Sequence, residues 1–293
     1  MIGYRISRQD LEKEIEKEKP GWLQRAKERK EKFRKLGRYE EASSIWSEVK
    51  PVYMQLQGGS KCAYCERKLE SVQLGKGEQD VEHFRPKGNV AAWKPSSGLL
   101  AKGLKLATTP ANGGYHLLAY NPFNYVASCK ACNAALKRDY FPIAHSYDLG
   151  GEDPVALLGE RPYLIYPLGD FDADPEALIA FHGVSPQAVA ASGHERWRAL
   201  VTIEFFRLDD ALARKSLVRE RAAVIVALYP QLAACDGGNA ADKKVAKKIV
   251  AGYTAPAAPH TSCARSFEKL FLSDRETARA LYEAAADFID SVS

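Results

Sequence analysis

The sequence predicts an α+β fold, a small metal-stapled core embedded in mainly α-helical N- and C-terminal regions. Three observations carry that expectation. Two C-x-x-C pairs, Cys62-Ala-Tyr-Cys65 and Cys129-Lys-Ala-Cys132, lie about sixty residues apart and can supply four thiolates to one tetrahedral structural zinc. Between them, Val81-Glu82-His83-Phe84 has the length and character of a strand. On both sides of this stretch, apolar residues recur at helical spacing through charged sequence.

Taken in order, Arg8 to Lys19 reads as a short exposed helix with Leu11 and Ile15 four apart, stopped by Pro20-Gly21. Trp22 to Leu36 reads as a second helix, rich in Lys and Arg. That is either a solvated face or a track for phosphates. After Gly37, Ala42, Ile45, Trp46, Val49, Tyr53 and Leu56 fall at helical spacing, with Pro51 as an expected kink. Gly75 to Gly77 reads as a turn before the Val81 to Phe84 strand, and residues 87–112 as a long, mobile loop. Tyr115 to Tyr120 has the character of a strand or a buried helix start, and Ser128 leads into a helix near Cys132.

Beyond Ile143 the pattern suggests a strand at 164–168, an acidic turn carrying Asp170, Asp172 and Asp174, and a strand at 178–181. A long helical pattern follows from His194 to Leu228, then a small basic helix with Lys243, Lys244, Lys247 and Lys248, and a final helix from about Ser266 to Ile289. These signals divide the chain into a charged helical region 1–57, a core 58–145 and a mainly helical region 146–293. The 293 residues, 46% of them hydrophobic, are enough to build a sizeable core. No apolar run of about eighteen residues occurs and the N-terminal residues lack a signal-peptide core, so the expectation is a cytoplasmic protein with no membrane partner. Cys235 and Cys263 stand apart from the paired cysteines, which fits metal binding in a reducing compartment rather than a disulfide framework. A net charge of +5 permits nucleic-acid binding without arguing strongly for it. No Walker, dinucleotide-binding, heptad or solenoid pattern is present.

The residues around the cysteines resemble the HNH endonucleases of the ββα-metal superfamily. That family places a carboxylate-His pair on a first strand, an Asn in the following loop and an Asn or His on a helix, matched here by Glu82-His83, Asn124 and Asn133. The chain is similar in more detail to the PtuB-type HNH proteins of Septu and retron phage-defence systems. The matching segments are Cys62-Ala-Tyr-Cys65-Glu66, Val81 to Lys87, Leu118-Ala-Tyr120, and Cys129 to Asn133 followed by Phe141-Pro142. Thr202 to Leu208 resembles a helical segment that lies outside the active site of those proteins.

The resemblance implies an HNH ββα-metal nuclease core and hydrolysis of phosphodiester bonds, with DNA as the substrate. Such chemistry needs a deprotonated water and a cation that offsets charge on the phosphate and the departing 3′ oxygen. His83, near its ordinary pKa, suits the general base. Glu82 and Asn133 would hold a catalytic Mg²⁺ or Mn²⁺ through oxygen, and Asn124 would pin the segment bearing the base. Neighbours on a strand point to opposite faces, so Glu82 and His83 serve one site only if the strand twists or ends there, or if Glu82 acts through water. Arg85 and Lys137 are expected on phosphate. Lys87 and Arg138 are candidate nucleic-acid contacts, or a solvated basic face. The resemblance also implies a PtuA-type ATPase partner. The rival readings are a catalytically inactive zinc-stapled nucleic-acid-binding module and a scaffold subunit of an ATPase complex.

Overall fold

A computed structural model of the chain describes residues 1–75 and 77–291. The turn expected at 75–77 includes Lys76, which lies outside the described residues. Helix α1 (Arg8–Glu18) is capped by the Ser7 hydroxyl, which accepts from the Asp10 N–H, and it buries Leu11 and Ile15 completely. Helix α2 (Trp22–Leu36) runs between Gly21 and Gly37, whose φ of 76° and 65° are left-handed values that glycine adopts without strain. Its cations are largely paired: Arg25 with Glu48, Arg29 with Glu41, and Lys30 and Arg34 with Glu152. Much of this face is therefore a network of surface ion pairs.

The helix expected over 42–56 is shorter than its apolar spacing suggests. A 3₁₀ turn, Trp46–Val49, leads into α3 (Lys50–Leu56), and Pro51 sits in the first turn of α3. A missing N–H costs nothing there, so Pro51 starts the helix instead of kinking it. Strand β1 (Gln79–His83), helix α4 (Ser97–Ala101) and strand β2 (Tyr125–Cys129) follow. The strands pair antiparallel, with Gln79 opposite Cys129 and His83 opposite Tyr125. A π-helical segment, Ala131–Lys137, continues directly from β2. Within 115–120, His116–Leu118 form a 3₁₀ turn, so of the two readings the helical start holds and the strand does not.

The 87–112 loop is tied at several points. Val90 donates to Gly113, Ala91 to Asp139 and Ala107 to Ile143 through backbone bonds, while Glu204 accepts from the Ser96 amide and hydroxyl. At Gly114 a Cβ would lie 2.6 Å from the Pro86 carbonyl and 2.7 Å from the Asn89 nitrogen, so only glycine lets this loop pass so close.

Toward the C-terminus, residues 164–168 form no strand; Leu168 makes a single bridge to Tyr4. Helix α5 (Pro175–Leu178) leads into a hairpin of β3 (Ile179–His182) and β4 (Ser185–Ala188). In the acidic turn, Asp172 accepts from the two terminal guanidinium nitrogens of Arg198 at 2.6 Å and Asp174 caps α5. The long helix expected from His194 is two helices, α6 (Gly193–Phe205) and α7 (Lys215–Gly237). The break contains Arg207 with φ of 48° and an Asp210 carboxylate that accepts from the Leu212 and Ala213 amides, both incompatible with a continuous helix. Helix α8 (Ala240–Thr254) follows, and the final helix is likewise divided, at Asp274, into α9 (Thr261–Ser273) and α10 (Arg275–Ser291).

One continuous cluster of buried side chains runs from Met1 to Ala285. No helix among the described residues is long and apolar enough to cross a membrane. Trp22 anchors the N-terminal helices in this core, wholly buried, edge-on to Tyr120 and Tyr125, with its indole N–H on the Ile45 carbonyl. Trp22→Ala is expected to lower stability by about 3–5 kcal/mol, read from the urea unfolding midpoint.

Candidate active site

Four sulfurs converge at one edge of the two-stranded sheet. Cys62 and Cys65 lie on the turn before β1, Cys129 ends β2 and Cys132 opens the π-helical segment; their Sγ atoms all lie within 4.8 Å of one another. Tetrahedral zinc with Zn–S bonds of about 2.3 Å requires S···S edges of about 3.8 Å, and Cys65 and Cys129 stand 3.8 Å apart. Four buried thiols and no oxygen donor form a soft, closed set that could hold a zinc ion with no open position. The Cys129 amide points at Cys62 Sγ at 3.4 Å, and the Arg214 guanidinium lies 3.7 and 3.8 Å from Cys132 Sγ. These donors would offset thiolate charge around a bound metal.

The first knuckle is also fastened to the C-terminal helices. Glu66, at φ of 60°, accepts from the Met1 amine and the Ser262 hydroxyl, and the Lys61 ammonium lies 3.5 Å away. Burial pushes this carboxyl up, but the two ammonium groups outweigh it and hold it well below the usual carboxylate range. The Lys61 ammonium also donates to the carbonyls of Pro256 and Ala258 at 2.9 Å.

Next to this edge, Glu82, His83, Lys87, Asn133 and Arg138 line one cavity of about 310 Å³, together with Trp46, Asp80, Val81, Pro86 and Asp139. Glu82 and His83 share it because β1 ends at His83, where the alternation of strand side chains stops. The His83 ring is held edge-on between Trp46 and Tyr125, each centroid 4.9 Å away. Its Nε2 lies 3.1 Å from the Ala119 carbonyl, an acceptor only, so that nitrogen carries the hydrogen and Nδ1 keeps the lone pair. Burial, with Lys87 adding to it, holds the imidazole pKa well below its ordinary value, so the ring stays neutral at physiological pH.

Burial likewise pushes the Glu82 carboxyl up to about 7, against the opposing pull of Lys137. Lys137 is itself wholly buried, with its ammonium 3.3 Å from Glu82 Oε1 and 3.5 Å from the His83 carbonyl. Expected on phosphate, Lys137 is instead the internal counter-charge of the site. Apart from that ion pair, Glu82 Oε1 has no hydrogen-bond partner among the described residues. Glu82, Asn133 and Asp139 line the same cavity and carry oxygen atoms of the kind that could hold a hard divalent cation.

Arg85 requires a second correction. It points away from the cavity and is buried, donating to Glu160 and to the Leu157 carbonyl while stacking over Tyr115 and Phe141. Residue 84 follows the end of the strand, and the turn that aims His83 at the cavity sends Arg85 into the opposite layer. Asn124 makes that turn: its Oδ1 accepts from the Arg85 amide at 2.8 Å, and its Nδ2 donates to the carbonyls of Arg85 at 3.0 Å and Leu118 at 3.2 Å. Lys87 lies over the rings of Trp46 and Tyr39, at 4.3 and 5.3 Å, and Arg138 over Tyr140. Among the described residues neither forms an ion pair, so both cations remain available on the cavity wall.

Trp46, Asp80 and Asp139 are cavity residues that sequence reasoning passed over. Trp46 looked like core packing, and Asp139 follows a Lys-Arg pair that drew attention to positive charge instead. Two outcomes follow from this geometry. The purified chain is expected to carry about one zinc, and Cys132→Ser to lose it, measured by elemental analysis. Arg85→Met, by leaving Glu160 buried without its partner, is expected to cost about 3–5 kcal/mol in chemical denaturation.

Over 121 residues the chain is 31% identical to "Septu protein PtuB" from Bacillus mycoides (strain KBAB4). The match covers 41% of this chain and 34% of that protein, so it spans about a third of the length of the relative. No family model matches the chain, and no solved structure matches it. The resemblance to PtuB-type proteins read from the cysteine pairs and their intervening motif therefore has a counterpart in direct sequence similarity.

Proposed function

We propose that this chain is a metal-dependent HNH endonuclease acting on nucleic acid, with DNA as the first substrate to test. We further infer that it is the effector of a Septu-type anti-phage system. The observation that carries this reading is the placement of His83, Glu82 and Asn133 on the wall of a single cavity, with Lys87 and Arg138 beside them. In this reading Nδ1 of His83 takes a proton from a water that attacks phosphorus. The bond to the 3′ oxygen breaks, leaving a 5′ phosphate and a 3′ oxygen that gains its proton from solvent. Glu82 and Asn133, with Asp139 on the same wall, would hold Mg²⁺ or Mn²⁺, which supplies Lewis-acid stabilisation of the phosphate and leaving-oxygen charge. Lys87 and Arg138 would contact non-bridging oxygens, and Asn124 would keep His83 aimed. A PtuA-type ATPase would be the partner, consistent with the similarity to PtuB and with a sequence that carries no Walker motif.

The Lys137 ammonium beside Glu82 favours one other reading, a catalytically silent zinc-stapled nucleic-acid-binding or scaffold subunit. The two readings separate in a plasmid-cleavage assay with Mg²⁺ or Mn²⁺, run with and without the ATPase. The nuclease reading expects nicking or linearisation that falls about 10²-fold or more in His83→Ala, assayed at a temperature where circular dichroism shows the variant folded. Salt-sensitive binding without cleavage under either ion would favour the silent subunit, and activity that survives His83→Ala would remove His83 from the mechanism.

A further inference from the structure

The cavity that holds His83 does not end at Arg138. The same arginine lines a second, larger groove of about 550 Å³, bounded by the 93–96 segment, the end of the π-helical segment and the α6–α7 break. Three rings stand in it. Trp93 packs against Phe205 with centroids 5.3 Å apart, and Tyr140 meets Phe205 edge-on at 6.4 Å. Trp93 and Tyr140 are only half-buried.

The walls are fixed in place. Ala91 donates to the Asp139 carbonyl and bridges to Tyr140, while Glu204 of α6 receives both the amide and the hydroxyl of Ser96. The charges in the groove balance: Lys94, Arg138 and Arg207 face Glu204, Asp209 and Asp210. Such a lining exerts no net pull on a phosphate. It offers aromatic faces together with both donors and acceptors, which are the features that recognise a nucleobase.

We propose that this groove is a base-binding subsite. It would take the unstacked base of a nucleotide flanking the scissile phosphate, stacked on Trp93, with Arg138 standing between base and phosphate. The assignment rests on reading the adjoining cavity as the nuclease centre, and it makes the favoured substrate a strand whose bases are free to leave the helix, single-stranded or locally unpaired. Arg138 belongs to both cavities and is the residue through which occupancy of one is felt in the other.

The test measures binding separately from cleavage. Labelled single-stranded oligonucleotides, each with one abasic position moved stepwise along the strand, are titrated with the full chain and followed by fluorescence anisotropy; cleavage of the same strands with Mg²⁺ or Mn²⁺ is mapped in parallel. One position adjacent to the cut is expected at which loss of the base weakens binding about five-fold or more. Trp93→Ala should erase that dependence and Trp93→Phe, which keeps a ring, should preserve it, so a loss of fold in the alanine variant cannot imitate the result. A penalty that survives Trp93→Ala, the absence of any base-sensitive position, or no binding of single strands at all would each overturn the subsite. Cleavage without base dependence would reject the subsite alone, and base dependence without cleavage would reject the nuclease reading alone.

Discussion

Four sulfurs within 4.8 Å of one another set the register of everything around the site. Cys129 closes β2 and faces Gln79 across the ladder, so holding Cys129 against Cys62 and Cys65 fixes the end of the strand on which β1 pairs. A slip of one residue would turn every side chain of β1 to the other face. With the register held, His83 falls opposite Tyr125, at the point where Asn124 bends the chain. Two five-residue strands cannot secure that alignment alone, since an isolated pair of strands is marginal in water. The sulfur cluster and the aromatic packing around His83 supply what the short ladder lacks.

Charge is buried around this frame in a way that specifies geometry more than it adds stability. Arg85 with Glu160, Lys137 with Glu82 and Lys61 with Glu66 all lie in the interior. Desolvating such pairs offsets most of their attraction, yet leaving either member alone is severe. Each pair therefore acts as a lock between layers: Arg85 ties the turn after β1 to residues 157–160, and Lys137 ties the π-helical segment to β1. The π-helical winding itself marks a departure from regular helix at the segment that carries Cys132, Asn133 and Lys137 together.

Much of this was legible in the sequence, for identifiable reasons. Metal-type cysteine spacing survives any detail of the loop between the pairs, and the short Val81 to Phe84 stretch has the length and character of a strand. Helix α2 was readable from its flanking glycines. Arg85 was not legible: its partner Glu160 is 75 residues away, and no local pattern reports which layer a side chain enters after a strand ends. Lys137 was misplaced for a related reason, because helical position tells which residues share a face but not that a carboxylate waits beneath it. The division between α6 and α7 was hidden by apolar residues that continue the helical period through Leu208 and Leu212, although Leu212 is 95% exposed. Tertiary packing, not periodicity, decides such boundaries.

The anchoring of the first knuckle bears on how separable the central region is. Residues 58–145 look in sequence like a cassette that could be lifted out and grafted elsewhere. In the folded molecule the Lys61 ammonium rests on Pro256 and Ala258, the Glu66 carboxylate on Ser262, and Cys132 beside Arg214. An excised fragment would strand a cation and an anion in a half-open interior, and would strip the thiolates of their nearest guanidinium. The centre is modular in its lettering and communal in its energetics, so transplanting it would mean carrying the far helices along.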